Sequence, residues 1–175
     1  TGAALEALAA TGITAAFFVT GVQAERNPAL LRSIAAHGHT IGSHGYVHED
    51  FFFSGAGSLR ADVKRSLDAI EQACGVRPRH YRPPYGRLNP FHAHVPLSLG
   101  CDIVLWSRMP RDFDARQKGA VLLSNLRSVR GGDILVLHDN ASTVGRLPGI
   151  IHALSRHLHD QGLQPASLPE RQESL

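Results

Sequence analysis

The chain predicts an α/β fold with a largely parallel sheet, and three observations carry that expectation. Helical and strand patterns alternate along its length, the order that builds parallel sheets covered by helices. The strand-like runs "ITAAFFVTG", "DIVLWS" and "DILVLHD" are continuously apolar instead of alternating, as strands buried on both faces are. At 175 residues, 43% hydrophobic and 19% charged, the chain has enough apolar material for one globular domain with a sizeable core.

The elements follow in order. "ALEALAATG", from Ala3 to Gly12 within a residue, is made of good helix formers and closed by glycine. Ile13 to Thr20 reads as a buried strand. "NPALLRSIAAHG" places Pro28 in a first turn after Asn27 as cap and stops at Gly38, so it is a helix. "HTIGSH" is a short strand running into a histidine loop. After the Phe-rich turn "DFFFSGAGS", Ser58 is the expected cap of "LRADVKRSLDAIEQACG", where Leu59, Val63, Leu67 and Ile70 share one helical face. "RHYRPPYG" is a strand stopped by its two prolines. "DIVLWS" and "DILVLHD" are two further strands, followed by helices expected over Asp114 to Val129 and Val144 to Gln161. There is no internal repeat, low-complexity tract or linker.

Charge and cysteine content narrow the function classes. A net charge of +3 with scattered Lys and Arg offers no basic stripe, so no nucleic-acid partner is expected. Cys74 and Cys101 are too few for a disulfide-stapled scaffold, and each is expected to fill core space as a small hydrophobe. No apolar run approaches the roughly 20 residues of a membrane-spanning helix, so no transmembrane segment is expected, and the compartment stays open between cytoplasm and exported envelope. Oligomeric state is likewise open.

The chemistry-bearing residues have a shared placement. His44, Arg82, Asp112 and His138 each stand at or just beyond the C-terminal end of a predicted strand, and in parallel α/β folds those ends converge on one rim where active sites form. The four are expected to share a site. His44 and His48 lie four apart, a spacing that 11 histidines could also produce by chance. His92-x-His94 and His157-x-His159 fall in predicted helices, where neighbours two apart do not face each other, so they are expected to be solvated. Trp106 is expected in the core, and Phe51, Phe52 and Phe53 over a rim.

The ordered segments "GSHGYVHED", "RPPYG", "LWSRMPRDFD" and "ILVLHD", preceded by "ITAAFFVTG" and "NPALLRSIAAHGHTIGSH", resemble the polysaccharide deacetylases, the NodB-homology or carbohydrate esterase family 4 enzymes. The resemblance covers nearly the whole chain and implies a distorted (β/α) barrel. It also implies a divalent ion, most often Zn2+, and removal of acetyl groups from N-acetylglucosamine-containing polysaccharide or oligosaccharide, a carbohydrate substrate of chitin- or peptidoglycan-like type. By the same resemblance His44 and His48 match the metal-ligating pair, a role neutral imidazoles suit. Arg82 matches the arginine that orients a catalytic aspartate, for which a guanidinium fork is apt. Tyr85 matches the residue whose backbone N–H faces the developing oxyanion. His138 matches the general acid, and Asp112 the carboxylate that tunes it. Phe113 and Val136 are the expected apolar wall for the acetyl methyl.

The chain departs from the family pattern in two places. Met109 replaces the first aspartate of the family's Asp-x-x-Asp motif, while Asp112 keeps the second. The family's Thr-Phe-Asp-Asp-Gly motif, which carries the catalytic base and the third metal ligand on the first strand, does not occur in the sequence. The expectation is therefore a deacetylase domain over residues 1–168, partial at its N-terminus and lacking its first strand, with a tail over 169–175. Two other readings stand beside the enzyme: a catalytically inactive carbohydrate-binding relic, and a deformylase or O-deacetylase on the same fold.

Overall fold

The structure, a computed structural model, describes residues 1–114, 116 and 119–169. In chain order its elements are α1 (Gly2–Thr11), β1 (Ala16–Val19), α2 (Gly21–Arg26), α3 (Pro28–Ala36), β2 (Thr40–Ser43), α4 (Ala56–Cys74), β3 (His80–Tyr81), α5 (His94–Ser98), β4 (Asp102–Ile103), α6 (Gly119–Leu126) and α7 (Leu147–Asp160), with 3-10 turns at Pro84–Gly86 and Pro90–His92. They fall into two units: Ala16–Leu105 with the stretch from Ser167, and Thr1–Ala15 with Trp106–Ala166.

The first unit is built on a four-stranded, all-parallel sheet in the order β1-β2-β3-β4. Ala16 to Val19 pair with Thr40 to Ser43, Ser43 pairs with Tyr81, and His80 and Tyr81 pair with Asp102 and Ile103. Helices connect the successive strands, as parallel neighbours require. The helical face read from the sequence is the buried one: Leu59, Val63 and Leu67 of α4 pack with Tyr81, Val95 and Cys101, and Phe51, Leu88 and Leu99 close over them. Burial pushes the Cys101 thiol up to about 11. Both cysteines are free thiols.

Several expectations for this unit are corrected. β1 is half-buried along its length, not buried, because it is the edge of the described sheet and has a paired neighbour on one side only. A short helix, α2, precedes the helix expected at Pro28. Asn27 does not cap α3 by its side chain; its amide instead donates to the Gln23 carbonyl at 3.1 Å. α4 starts at Ala56 with Gly55 as its cap residue, so Ser58 sits inside the first turn. His92 ends a 3-10 turn and His94 opens α5, so the two do not share one helix. Phe51 packs on the core, whereas Phe53 is 88% exposed and covers no rim.

In the second unit α1 and α6 each pack on α7, and Leu122, Leu126 and Ile150 form the core with Leu135, Leu137, Ala153 and Leu154 against it. The run "DILVLHD" is not a strand. It makes one parallel bridge, Arg108 to Leu135, with Val136 N–H donating to the Arg108 carbonyl at 2.9 Å. Its apolarity reported burial correctly, since Leu135 and Leu137 pack on the helical core; a strand also needs a partner along its length. Trp106 is half-buried, not core. Of the helix expected from Asp114 to Val129, α6 occupies Gly119–Leu126, Asp114 lies outside it, and residues 115, 117 and 118 are outside the described residues. The tail beyond Pro169 is also outside them. Among the described residues no helix is long and apolar enough to cross a membrane.

Candidate functional site

In the sheet unit, β2 and β3 deliver two of the candidate residues side by side. His44 follows the last residue of β2 and Arg82 the last of β3, and the ladder extends through both: His44 N–H donates to the Val19 carbonyl and Arg82 N–H to the Ser43 carbonyl, each at 2.9 Å. His44 Nδ1 lies 2.7 Å from the Arg82 carbonyl. A carbonyl only accepts, so Nδ1 carries the hydrogen and Nε2 is the lone-pair nitrogen of the neutral ring. His48, exposed at the end of the same loop, sets its ring 4.8 Å from that of His44 at 71°.

Arg82 is 7% exposed. Its Nε donates to the Val104 carbonyl at 3.1 Å and a terminal nitrogen to the Leu105 carbonyl at 3.3 Å, while the guanidinium lies 4.0 Å over the Phe18 ring. Burial lowers its pKa to about 10. Tyr85 sits in the 3-10 turn at φ 59°, ψ 7°, a left-handed conformation that a non-glycine residue adopts rarely. Its ring packs 4.6 Å from His48 at 77°, and its hydroxyl reaches the His48 carbonyl at 3.5 Å.

In the second unit the structure brings Asp112 and His138 together. Asp112 is fully buried; Oδ1 accepts from His138 Nδ1 at 2.8 Å and Oδ2 from His138 N–H at 2.6 Å. One carboxylate thus fixes both ring and backbone. Thr143, also fully buried, donates to the His138 carbonyl at 2.6 Å and accepts from Asn140 N–H at 3.0 Å. Arg146 donates to the Asp112 carbonyl. The His138 ring remains 35% exposed with Phe113 edge-on at 4.9 Å, and Val136 is buried two residues before it. Neither Asp112 nor His138 terminates a paired strand: Asp112 stands in a turn and His138 in an irregular segment three residues past the Leu135 bridge, both held by these side-chain contacts.

Sequence reasoning missed Thr143, Arg146 and, in the sheet unit, Asp62. Asp62 on α4 accepts from Tyr46 N–H at 2.9 Å and from Val47 N–H at 3.4 Å, inside the loop between the two histidines. Desolvation raises its pKa, and the two N–H groups partly offset that. A signal was available: Asp62 and Ser66 each sit one position before an apolar residue of the buried face, Val63 and Leu67. Of the histidines expected to be solvated, His159 is exposed and His157 is half-buried, its Nε2 3.2 Å from the Val129 carbonyl.

The donor type and the tautomer of His44 fit a zinc ion: two imidazoles on one loop, the first with Nδ1 engaged by a carbonyl as metal-ligating histidines usually are. Among the described residues no group of three or more His, Cys, Asp or Glu side chains forms a complete ligand set. The pair fits two positions of such a site.

Comparison with known proteins bears on the family and the fold. A model of the family described as polysaccharide deacetylase matches residues 1–104. A chitooligosaccharide deacetylase of Sinorhizobium fredii is 33% identical over 95% of this chain and 82% of that protein. A peptidoglycan-N-acetylglucosamine deacetylase of Listeria monocytogenes is 29% identical over 77% of this chain and 28% of that protein. Among solved structures, a family 4 carbohydrate esterase from Streptomyces lividans, in complex with acetate, superposes with a TM-score of 0.87 at 26% identity, over 97% of this chain and 86% of that one. The α/β fold expected from the sequence is the fold of these structures. On the family match over residues 1–104 and the 33% identity spanning 95% of its length, the chain belongs to the polysaccharide deacetylase family.

Proposed function

We propose that the protein is a metal-dependent hydrolase that removes N-acetyl groups from an oligosaccharide or polysaccharide containing N-acetylglucosamine. The observation that carries this reading is the Asp112–His138 pair, a fully buried carboxylate holding a part-exposed imidazole through Nδ1. The names of the similar proteins, chitooligosaccharide and peptidoglycan-N-acetylglucosamine deacetylases, support the substrate class.

Amide hydrolysis must place a proton on a poorly leaving nitrogen while water adds to the carbonyl carbon. His138 supplies that proton from Nε2, because Nδ1–H is committed to Asp112, which fixes the orientation of the ring. The products are acetate and the free amine of the sugar. Phe113, edge-on to the His138 ring, and Val136, buried two residues before it, are apolar groups that suit the acetyl methyl. Tyr85 keeps the family position of the oxyanion donor, its left-handed backbone setting the direction of its N–H. Arg82 is clamped by two carbonyls and an aromatic face, so its guanidinium is a preorganised positive charge, while its backbone carbonyl aligns His44. His44 and His48 would hold the divalent ion, most simply Zn2+, which supplies Lewis-acid polarisation of the amide carbonyl.

The test is release of acetate from chitooligosaccharides by the full-length protein, before and after chelation and with zinc restored. Acetate release that is lost on chelation and returns with zinc is the expected result. Binding of the oligosaccharide without acetate release under any metal would replace the enzyme by a carbohydrate-binding protein.

A further inference from the structure

The loop from His44 to His48 has no regular secondary structure, so the spacing of its two imidazoles must be set from outside. Its backbone groups can be traced one by one. Gly45 N–H donates to Ser43 Oγ at 3.3 Å, and its carbonyl accepts from Gly21 N–H at 3.0 Å. The Tyr46 carbonyl accepts from Val22 N–H at 3.1 Å, and the Val47 carbonyl from Glu49 N–H at 2.8 Å. The two remaining central donors, Tyr46 N–H and Val47 N–H, both go to the Asp62 carboxylate.

The surroundings leave the loop little freedom. Arg65, three residues on from Asp62, donates to the Tyr46 hydroxyl at 2.8 Å and lies 3.6 Å over its ring, and that hydroxyl donates to Glu25 at 2.9 Å. Ser66, one helical turn after Asp62, is fully buried and accepts from Ser43 Oγ at 2.8 Å. Gly45 stands at φ +79°, where a Cβ would meet the Asp62 carboxylate at 2.8 Å, and a Cβ on Gly21 would meet the Tyr46 ring at 2.4 Å. Glycine is required at both places because the loop is drawn against α4 and the start of α2.

We infer that Asp62 is a positioning residue that fixes the geometry of the His44–His48 pair by holding the Tyr46 and Val47 amides between them. The inference rests on the reading that this pair binds the metal ion. Asp62 is engaged by two N–H groups of the loop and acts through the loop, not as a ligand. Without its carboxylate the two amides lose their acceptor, the loop samples other conformations, and the imidazoles must be brought together at the moment of binding.

The experiment measures zinc affinity of the full-length protein by competition with a chromophoric chelator, and the visible spectrum of its cobalt(II) form, for wild type, Asp62→Ala, Asp62→Asn and His44→Ala. Asp62→Ala is expected to weaken zinc binding about 10- to 100-fold, the range typical of partners that orient ligands. Its cobalt spectrum should broaden or shift, while turnover at saturating zinc recovers most of its wild-type value. Asp62→Asn, with one acceptor oxygen left, should fall between. A folded Asp62→Ala with wild-type affinity and spectrum overturns the inference. Should Asp62→Ala fail to fold, wild-type values in Asp62→Asn overturn it equally. His44→Ala separates the two levels: loss of zinc there with none in the Asp62 variants removes Asp62 alone, whereas zinc retained in His44→Ala removes the metal pair and this inference with it.

Discussion

His44 and His138 are both fixed through Nδ1, yet by different acceptors. His44 leans on the Arg82 carbonyl at 2.7 Å, a neutral group delivered by the parallel ladder of β2 and β3. His138 leans on the Asp112 carboxylate at 2.8 Å, a charge delivered to an irregular segment with one backbone bridge, at Leu135, behind it. A carbonyl and a carboxylate both accept from Nδ1–H and select the same tautomer, but the first acceptor is neutral and the second ionic. The supports differ accordingly: a sheet ladder behind His44, buried side chains behind His138.

Substitutions can break or sharpen this contrast. The largest effect is expected from His138→Ala, a fall in kcat of about 10²- to 10⁴-fold, the usual contribution of a general acid. Zinc content should be unchanged by elemental analysis, while His44→Ala does the reverse and empties the metal. If both variants lost metal, the division of labour between the two histidines would be wrong. Asp112→Ala comes next. It leaves two His138 donors without their acceptor at a fully buried position, which should lower stability by about 1–3 kcal/mol in urea titration and reduce kcat with it. Stability equal to wild type would mean that water or a neighbour replaces the carboxylate.

Gly45→Ala tests the other side. A left-handed backbone and a Cβ 2.8 Å from the Asp62 carboxylate should cost about 1–2 kcal/mol, read as a lower melting temperature together with weaker zinc binding. The rest of the pair's support, the His44 contact to Arg82, would remain. The smallest effect is expected from Lys64→Ala. Its pair with Asp68 is an exposed i,i+4 contact of 2.6 Å, so stability should move by less than about 0.5 kcal/mol and turnover not at all. A larger change would mean that the outer face of α4 contributes to the loop it supports.

Much of the sheet unit was legible because its elements obey local rules. The apolar face of α4 repeats at Leu59, Val63, Leu67 and Ile70, and all four are buried. Pro83 and Pro84 end β3 where the sequence says they must, and His44 and Arg82 follow directly after paired strands. The second unit was read less well. "DILVLHD" has the composition of a strand, but Asp133 at its start is taken by Ser107 Oγ at 2.7 Å, Arg108 Nε at 3.1 Å and Arg130 N–H at 2.8 Å, and half-buried Leu135 and Leu137 pack against the core of α6 and α7. Burial was foreseeable from hydrophobicity; that pairing would stop at a single bridge to Arg108 was not, since the partner lies 27 positions away from Leu135 in the chain.

The sequence by itself determined the residue types and their order: two histidines four apart after a short strand, an arginine before paired prolines, an aspartate and a histidine in later segments, and through these segments the family. The tertiary structure decided what each of them bonds to. Nothing in the string "HGYVH" indicates that its middle amides belong to Asp62, or that His44 is aligned by the carbonyl of Arg82 and His138 by both oxygens of Asp112. The physical reason is that backbone donors and acceptors are the same at every position and leave no mark on sequence. Only the path of the chain brings a particular one within 3 Å of a particular side chain.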